Sequence, residues 1–88
     1  MNSQNENIPH SVILRERENM SVCGVCEVVS FDECGVVLDT VMGIMAVDGT
    51  EMRITRLDLD RREVDLCGKV SGIVYAQKRQ KKGLFGRA

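Results

Sequence analysis

The residues best equipped for chemistry in this sequence are its four cysteines, two of them spaced as Cys23-Gly24-Val25-Cys26, with Cys34 and Cys67 further on. Four thiolates satisfy tetrahedral zinc, so one reading of the chain is a small module that binds zinc or senses redox state through these cysteines. Structural zinc sites usually pair their ligands, however, and neither Cys34 nor Cys67 stands in a C-x-x-C of its own. A thioredoxin-type motif opens a helix after a strand, whereas this one lies inside a valine-rich strand pattern. In a regular strand residues i and i+3 point to opposite faces, so Cys23 and Cys26 converge only if Gly24 makes a bulge. The favoured reading is that all four are small buried hydrophobes, with no metal and no cofactor.

Other reactive types are thinly spread. Asp58-Leu59-Asp60 begins like a calcium loop but lacks the glycine at the sixth position and the closing glutamate. His10 is the only histidine and sits beside Pro9, in a polar stretch expected to be disordered. A general base must be held by a third group, and a base on a loose arm is not preorganised. No glycine-rich phosphate loop precedes a helix. The composition therefore points away from an enzyme.

These residues need elements to position them, and 88 residues supply one domain with a thin core. Phe31, Phe85 and Tyr75 are the only large rings, too few for a platform that stacks single-stranded bases. Residues 1–76 carry all 13 acids against 7 Lys and Arg, while residues 77–88 carry 5 basic residues and no acid. An acidic body is a poor general nucleic-acid binder, because phosphate neutralisation needs a basic face on the fold. The tail, with Lys78, Arg79, Lys81 and Lys82 followed by Leu84 and Phe85, suits an acidic partner, a hydrophobic groove or an anionic membrane surface. No segment reaches the length of an apolar membrane span and Met1 to Pro9 lacks signal-peptide order, so the expectation is a cytoplasmic protein with reduced thiols.

The organisation reads as a disordered arm over 1–10, a β domain over 11–76 and a flexible basic tail over 77–88. Apolar residues alternate with period two: Met20 and Val22, Met52 and Ile54, Leu57 and Leu59, Val64 and Leu66. No helical stripe is sustained. Turns are predicted at Arg17-Glu18-Asn19, at Asp32-Glu33-Cys34-Gly35, at Asp48-Gly49 as a hairpin turn, and at Asp60-Arg61-Arg62-Glu63. The inward phase changes at Thr55-Arg56 and again at Ser71-Gly72, and such a slip sends later side chains to the other face unless a bulge absorbs it. Gly24, Gly43, Gly49, Gly68 and Gly72 punctuate the strands where turns or close backbone approaches are expected. The predicted fold is all-β: six to eight short, strongly curved strands in a roll, a barrel-like sheet or a short solenoid.

In order, Ile8-Pro9-His10, Arg15 and Arg17, Gly24-Val25, Val29-Ser30-Phe31-Asp32, Asp39-Thr40-Val41-Met42-Gly43, Gly49, Leu57-Asp58, Gly68 and Val74-Tyr75 resemble the YabP family of sporulation proteins. The likeness covers roughly residues 8–76, and Phe85 after the basic run is similar too. The related YqfC family shares the later glycines but fits residues 39–47 less well. The resemblance implies a protein made in the mother cell of endospore-forming bacteria and needed for spore formation, particularly coat assembly, without catalytic activity or cofactor. It implies partners among other sporulation or coat proteins, a membrane protein of the YabQ type among them, with localisation at the forespore membrane surface. Self-association through open sheet edges is a further expectation. The cysteines at 23, 26 and 67 stand where the family suggests other β-formers, and the Arg61-Arg62 turn lacks an expected glycine.

Overall fold

The computed structural model describes residues 8–77, and these form six strands with no helix among the described residues. They are β1 (Ser11–Arg15), β2 (Asn19–Cys23), β3 (Val25–Asp32), β4 (Gly35–Thr40), β5 (Gly43–Asp58) and β6 (Glu63–Ala76). All pairings are antiparallel, in the order β1-β2-β6-β5-β4-β3. The sheet is open, with β1 and β3 at its two ends, so no barrel closes.

Alternation in the sequence becomes alternation in burial. In β4, Val36, Leu38 and Thr40 are buried while Gly35, Val37 and Asp39 are half-buried, as period-two side chains require. Across the strands, the pairings line these residues up in rows. One row runs Val12, Val22, Val64, Leu57, and another Val28, Leu38, Met45, Tyr75. The middle members are buried, but Leu57 and Tyr75 stand at row ends and remain 51% and 46% exposed. Position along the row, not side-chain identity, decides burial there.

β5 and β6 are 16 and 14 residues long, and each changes neighbour midway. The first part of β5 pairs with β4, and the first part of β6 pairs with β2. Between these parts the β5–β6 register shifts at Asp48/Gly49, Thr50/Arg53 and Ile54/Arg56. Ser71 and Thr55 are the skipped residues at the outer two shifts, so both expected slips are present. The expectation of uniformly short strands gives way here, because the long ladder absorbs its bulges without breaking. Met20, Val22, Val64 and Leu66 from one half join Val25, Val36, Leu38, Met45 and Val47 from the other in a single buried cluster, with Met52 and Val70 beside the shifts. Each such side chain contributes about 1.5–3 kcal/mol by leaving water.

Three of the predicted turns form, and the fourth does not. The β1–β2, β3–β4 and β5–β6 reversals fall at 16–18, 33–34 and 59–62. Asp48 and Gly49 instead lie within β5, and the β4–β5 reversal occupies Val41-Met42. Thr40 closes that turn: its buried hydroxyl donates to Gly43 O at 2.7 Å and accepts from Met42 N at 3.1 Å. A local Asp-Gly preference is outweighed by the ladder that β5 continues with β6. Gly24 sits at the corner between β2 and β3 and Gly43 opens β5, but Gly49, Gly68 and Gly72 lie inside strands. Gly68 has φ +134°, and a Cβ there would stand 2.7 Å from both Glu51 O and Met52 Cα. The close crossing of β5 over β6 therefore requires glycine at this point.

Both hairpins reach back to this crossing. From the β1–β2 turn, Glu18 O accepts from Gly68 N and Arg17 O from Val70 N. From the β3–β4 turn, Glu33 O accepts from Met52 N and Cys34 O from Gly49 N.

Candidate functional site

His10 is held, contrary to the expectation of a loose arm. Its Nδ1 lies 2.8 Å from Cys23 O and its Nε2 lies 2.6 Å from the Tyr75 hydroxyl. A carbonyl can only accept, so Nδ1 carries a proton, and in the neutral ring Nε2 accepts from the tyrosine O–H. The rings meet edge to face, 5.6 Å between centroids and 85° apart. Gly24 makes room for this arrangement: at φ +80°, a Cβ would lie 2.5 Å from Pro9 O and 2.9 Å from His10 Cα. With both nitrogens engaged, His10 serves as a tie between the start of the domain and the end of β6. No signal local to His10 could have shown this, because its partner lies 65 residues away.

The cysteines are not brought together. Cys23 and Cys67 stand at opposite ends of the β2–β6 ladder, paired with Glu63 and Asn19 respectively. Cys26 accompanies Arg62, whose Nη1 is 3.8 Å from its Sγ, and Cys34 lies exposed in the β3–β4 turn. Cys23 Sγ is 3.0 Å from Ser11 Oγ and donates to Pro9 O at 3.7 Å. Among the described residues no group of three or more potential metal ligands gathers, so the Cys23, Cys26, Cys34 and Cys67 site is not formed. Nor are these thiols buried hydrophobes: three are half-buried and Cys34 is exposed. Asp58 and Asp60 form no calcium loop either. Asp58 Oδ1 accepts from Arg61 N at 3.1 Å, which makes it a turn-closing residue.

Two charged features remain. A cleft of about 600 Å³ lies beside the strand crossing, with Glu18, Glu33, Glu51, Arg53, Cys67 and Lys69 on its walls. Arg53 Nη2 donates there to Cys67 Sγ at 3.3 Å. On the outer face, Arg56 reaches Glu63 at 2.7 Å, Asp65 at 3.0 Å and Asp58 at 3.7 Å. The hydrogen bond to Glu63, then that to Asp65, hold the guanidinium above its ordinary value. The cluster orders an exposed face and leaves no vacant carboxylate pair for acid–base work.

Exposed apolar side chains stand on both end strands as well as at Met42, Leu57, Leu59, Val74 and Tyr75. Ile13 and Leu14 on β1 are 48% and 36% exposed, and Val29 and Phe31 on β3 are 51% and 46% exposed. No helix among the described residues is long and apolar enough to cross a membrane. The tail candidates Lys78, Arg79, Lys81, Lys82, Leu84 and Phe85 lie outside the described residues.

Comparison with known proteins agrees with the resemblance. The chain matches the YabP family over residues 6–82. Spore protein YabP of Bacillus subtilis (strain 168) is 33% identical to it over 81 residues, covering 89% of this chain and 81% of its own length. The matched stretch takes in all six strands.

Proposed function

This chain belongs to the YabP family, and from that premise we propose that it acts in spore formation as a non-enzymatic interaction module supporting coat assembly. The observation that carries the sporulation role is its likeness, over nearly the whole chain, to a protein named for the spore. The interaction role is supported by an open sheet with apolar side chains on both end strands, since unpaired edges recruit further strands. In this reading the sheet is strongly curved at its register shifts, and its partners are other sporulation or coat proteins. It works from the mother-cell cytoplasm at the forespore surface, where the tail over 77–88 contacts an acidic partner or an anionic membrane.

Deletion of the gene in its sporulating host, with electron microscopy of the spores, tests the reading. The expected result is a defective coat restored by the full-length gene. Intact coats on normal spores would overturn it. For the tail, loss of liposome flotation after truncation at Gln77 is expected, and unchanged flotation removes the membrane contact.

A further inference from the structure

We propose that the chain forms a two-fold symmetric dimer by antiparallel pairing of β1 with β1 of a second copy, centred on Ile13. The inference rests on the interaction reading above and deepens it by naming the edge and the partner.

The two ends of the sheet are not equally open. β3 has register shifts between Val25 and Glu27 and between Val28 and Ser30, and it carries Glu27 and Asp32. Bulges and charges of this kind keep an edge from pairing. β1 has neither device over Ser11–Leu14. Its five residues pair with β2 in unbroken register, Ser11 with Cys23 through Arg15 with Asn19. On its other side it has no ladder partner among the described residues. The part of β5 beyond β4 and the part of β6 beyond β2 also lack a second ladder neighbour, but the first presents Arg53, Arg56 and Asp58, and the second is interrupted by the shift at Ser71 and engaged by Arg17 O and His10.

The sequence of β1 suits its own copy. With Ile13 opposite Ile13, Val12 faces Leu14, Leu14 faces Val12, and Ser11 faces Arg15, so all five residues are used. No like charges meet, whereas a parallel pairing would set Arg15 against Arg15. Opposed residues in an antiparallel pair share a face, and this register keeps inner residues with inner ones. Val12 and Leu14 belong to the inner rows that continue through Val22 and Val64 and through Met20 and Leu66. The apolar rows of the two copies would thus run on into each other. Ile13, on the outer face in line with Ser21 and Asp65, meets its twin there.

A five-residue edge buries less than a standard interface of about 800 Å² per partner, so the dimer is weak, with Kd on the order of 10–100 µM. Light scattering coupled to size exclusion, from about 10 µM to about 1 mM, should show the mass rise from 9.8 kDa towards twice that value. Ile13→Lys, at a half-exposed outer position, should stay monomeric with an unchanged circular dichroism spectrum. Independently, Ile13→Cys should yield a disulfide-linked dimer on mild oxidation well above the background of the native cysteines, and Val29→Cys on the opposite edge should not. A monomer at the highest concentration, a dimer that survives Ile13→Lys, or equal cross-linking through Val29→Cys would overturn the inference. Ile13→Lys that rescues coat formation would show that dimerisation is dispensable and leave the spore role standing. Intact coats without the gene would refute that role whatever the mass.

Discussion

The β1–β2 and β3–β4 hairpins occupy equivalent places, yet they are built by different means. Each lies beside one long strand, and each turn delivers two carbonyls to backbone N–H groups where that strand shifts register. The β1–β2 turn achieves this with two successive left-handed residues, Glu16 at φ 53° and Arg17 at φ 58°, a conformation costly for residues with a Cβ. Arg17 Nε also donates to Val70 O at 3.2 Å, which helps to hold the turn over β6. The β3–β4 turn avoids that cost. Asp32 Oδ1 accepts from Cys34 N at 2.7 Å and Gly35 N at 3.0 Å, a local side-chain closure. The outer strands differ in the opposite sense, since β3 is bulged twice and β1 is regular. The strained turn therefore carries the plain edge, and the relaxed turn carries the protected one. Equivalent positions in a fold fix where the backbone goes, while the means of holding it there, and of leaving it open, are set hairpin by hairpin.

Substitutions can break or sharpen this contrast. The largest effects should be alike in both hairpins: Met20→Ala in β2 and Leu38→Ala in β4 each cost about 2–5 kcal/mol in urea unfolding, because both are buried in the shared cluster. If one costs far less, the two halves do not share one core. Next comes the crossing itself, where Gly68→Ala should cost about 1–3 kcal/mol while Gly72→Ala, with nothing within 4 Å of its Cβ, should be nearly neutral. The turns should then separate: Asp32→Ala loses about 1 kcal/mol of local closure, and Arg17→Gly loses a side-chain bond but relieves strain, so its thermal midpoint should fall less. Tyr75→Phe removes one hydrogen bond to His10 and should cost about 0.5–1.5 kcal/mol, with faster amide exchange in β1 as its signature. The smallest effect is expected from Arg56→Met, a slight drop in Tm that added salt erases, as for any exposed ion-pair cluster. The raised value of Arg56 means that the part of its contribution linked to its own titration is fully present below the unfolded value and is lost in strong alkali.

Much of this fold was legible in the residues. Alternation identified the strands, and the phase changes near Thr55 and Ser71 marked two bulges, because a period of two makes any single inserted residue visible. Asp60 to Glu63 and Asp32 to Gly35 announced their turns by separating two alternating apolar runs. Asp48-Gly49 misled because its turn preference is local, whereas the pairing of β5 with β6 is set by the core on both sides of it. The exposure of Leu57, Leu59 and Tyr75 could not be read from pattern, since it depends on which residues stand at row ends or in a turn. The His10–Tyr75 contact and the dispersal of the cysteines were equally hidden. Both depend on strand order, and alternation says which face a residue takes without saying which strand lies next to it.

The bond between His10 and Tyr75 also governs how the domain would respond to mechanical load. Because His10 stands just before β1 and Tyr75 near the end of β6, tension applied across the domain through the segments flanking β1 and β6 loads this side-chain contact. Once it parts, the pull peels β1 from β2 rung by rung, a zipper opening that yields at low force. A chain held at both of these segments would then lose its outermost strand well before its core.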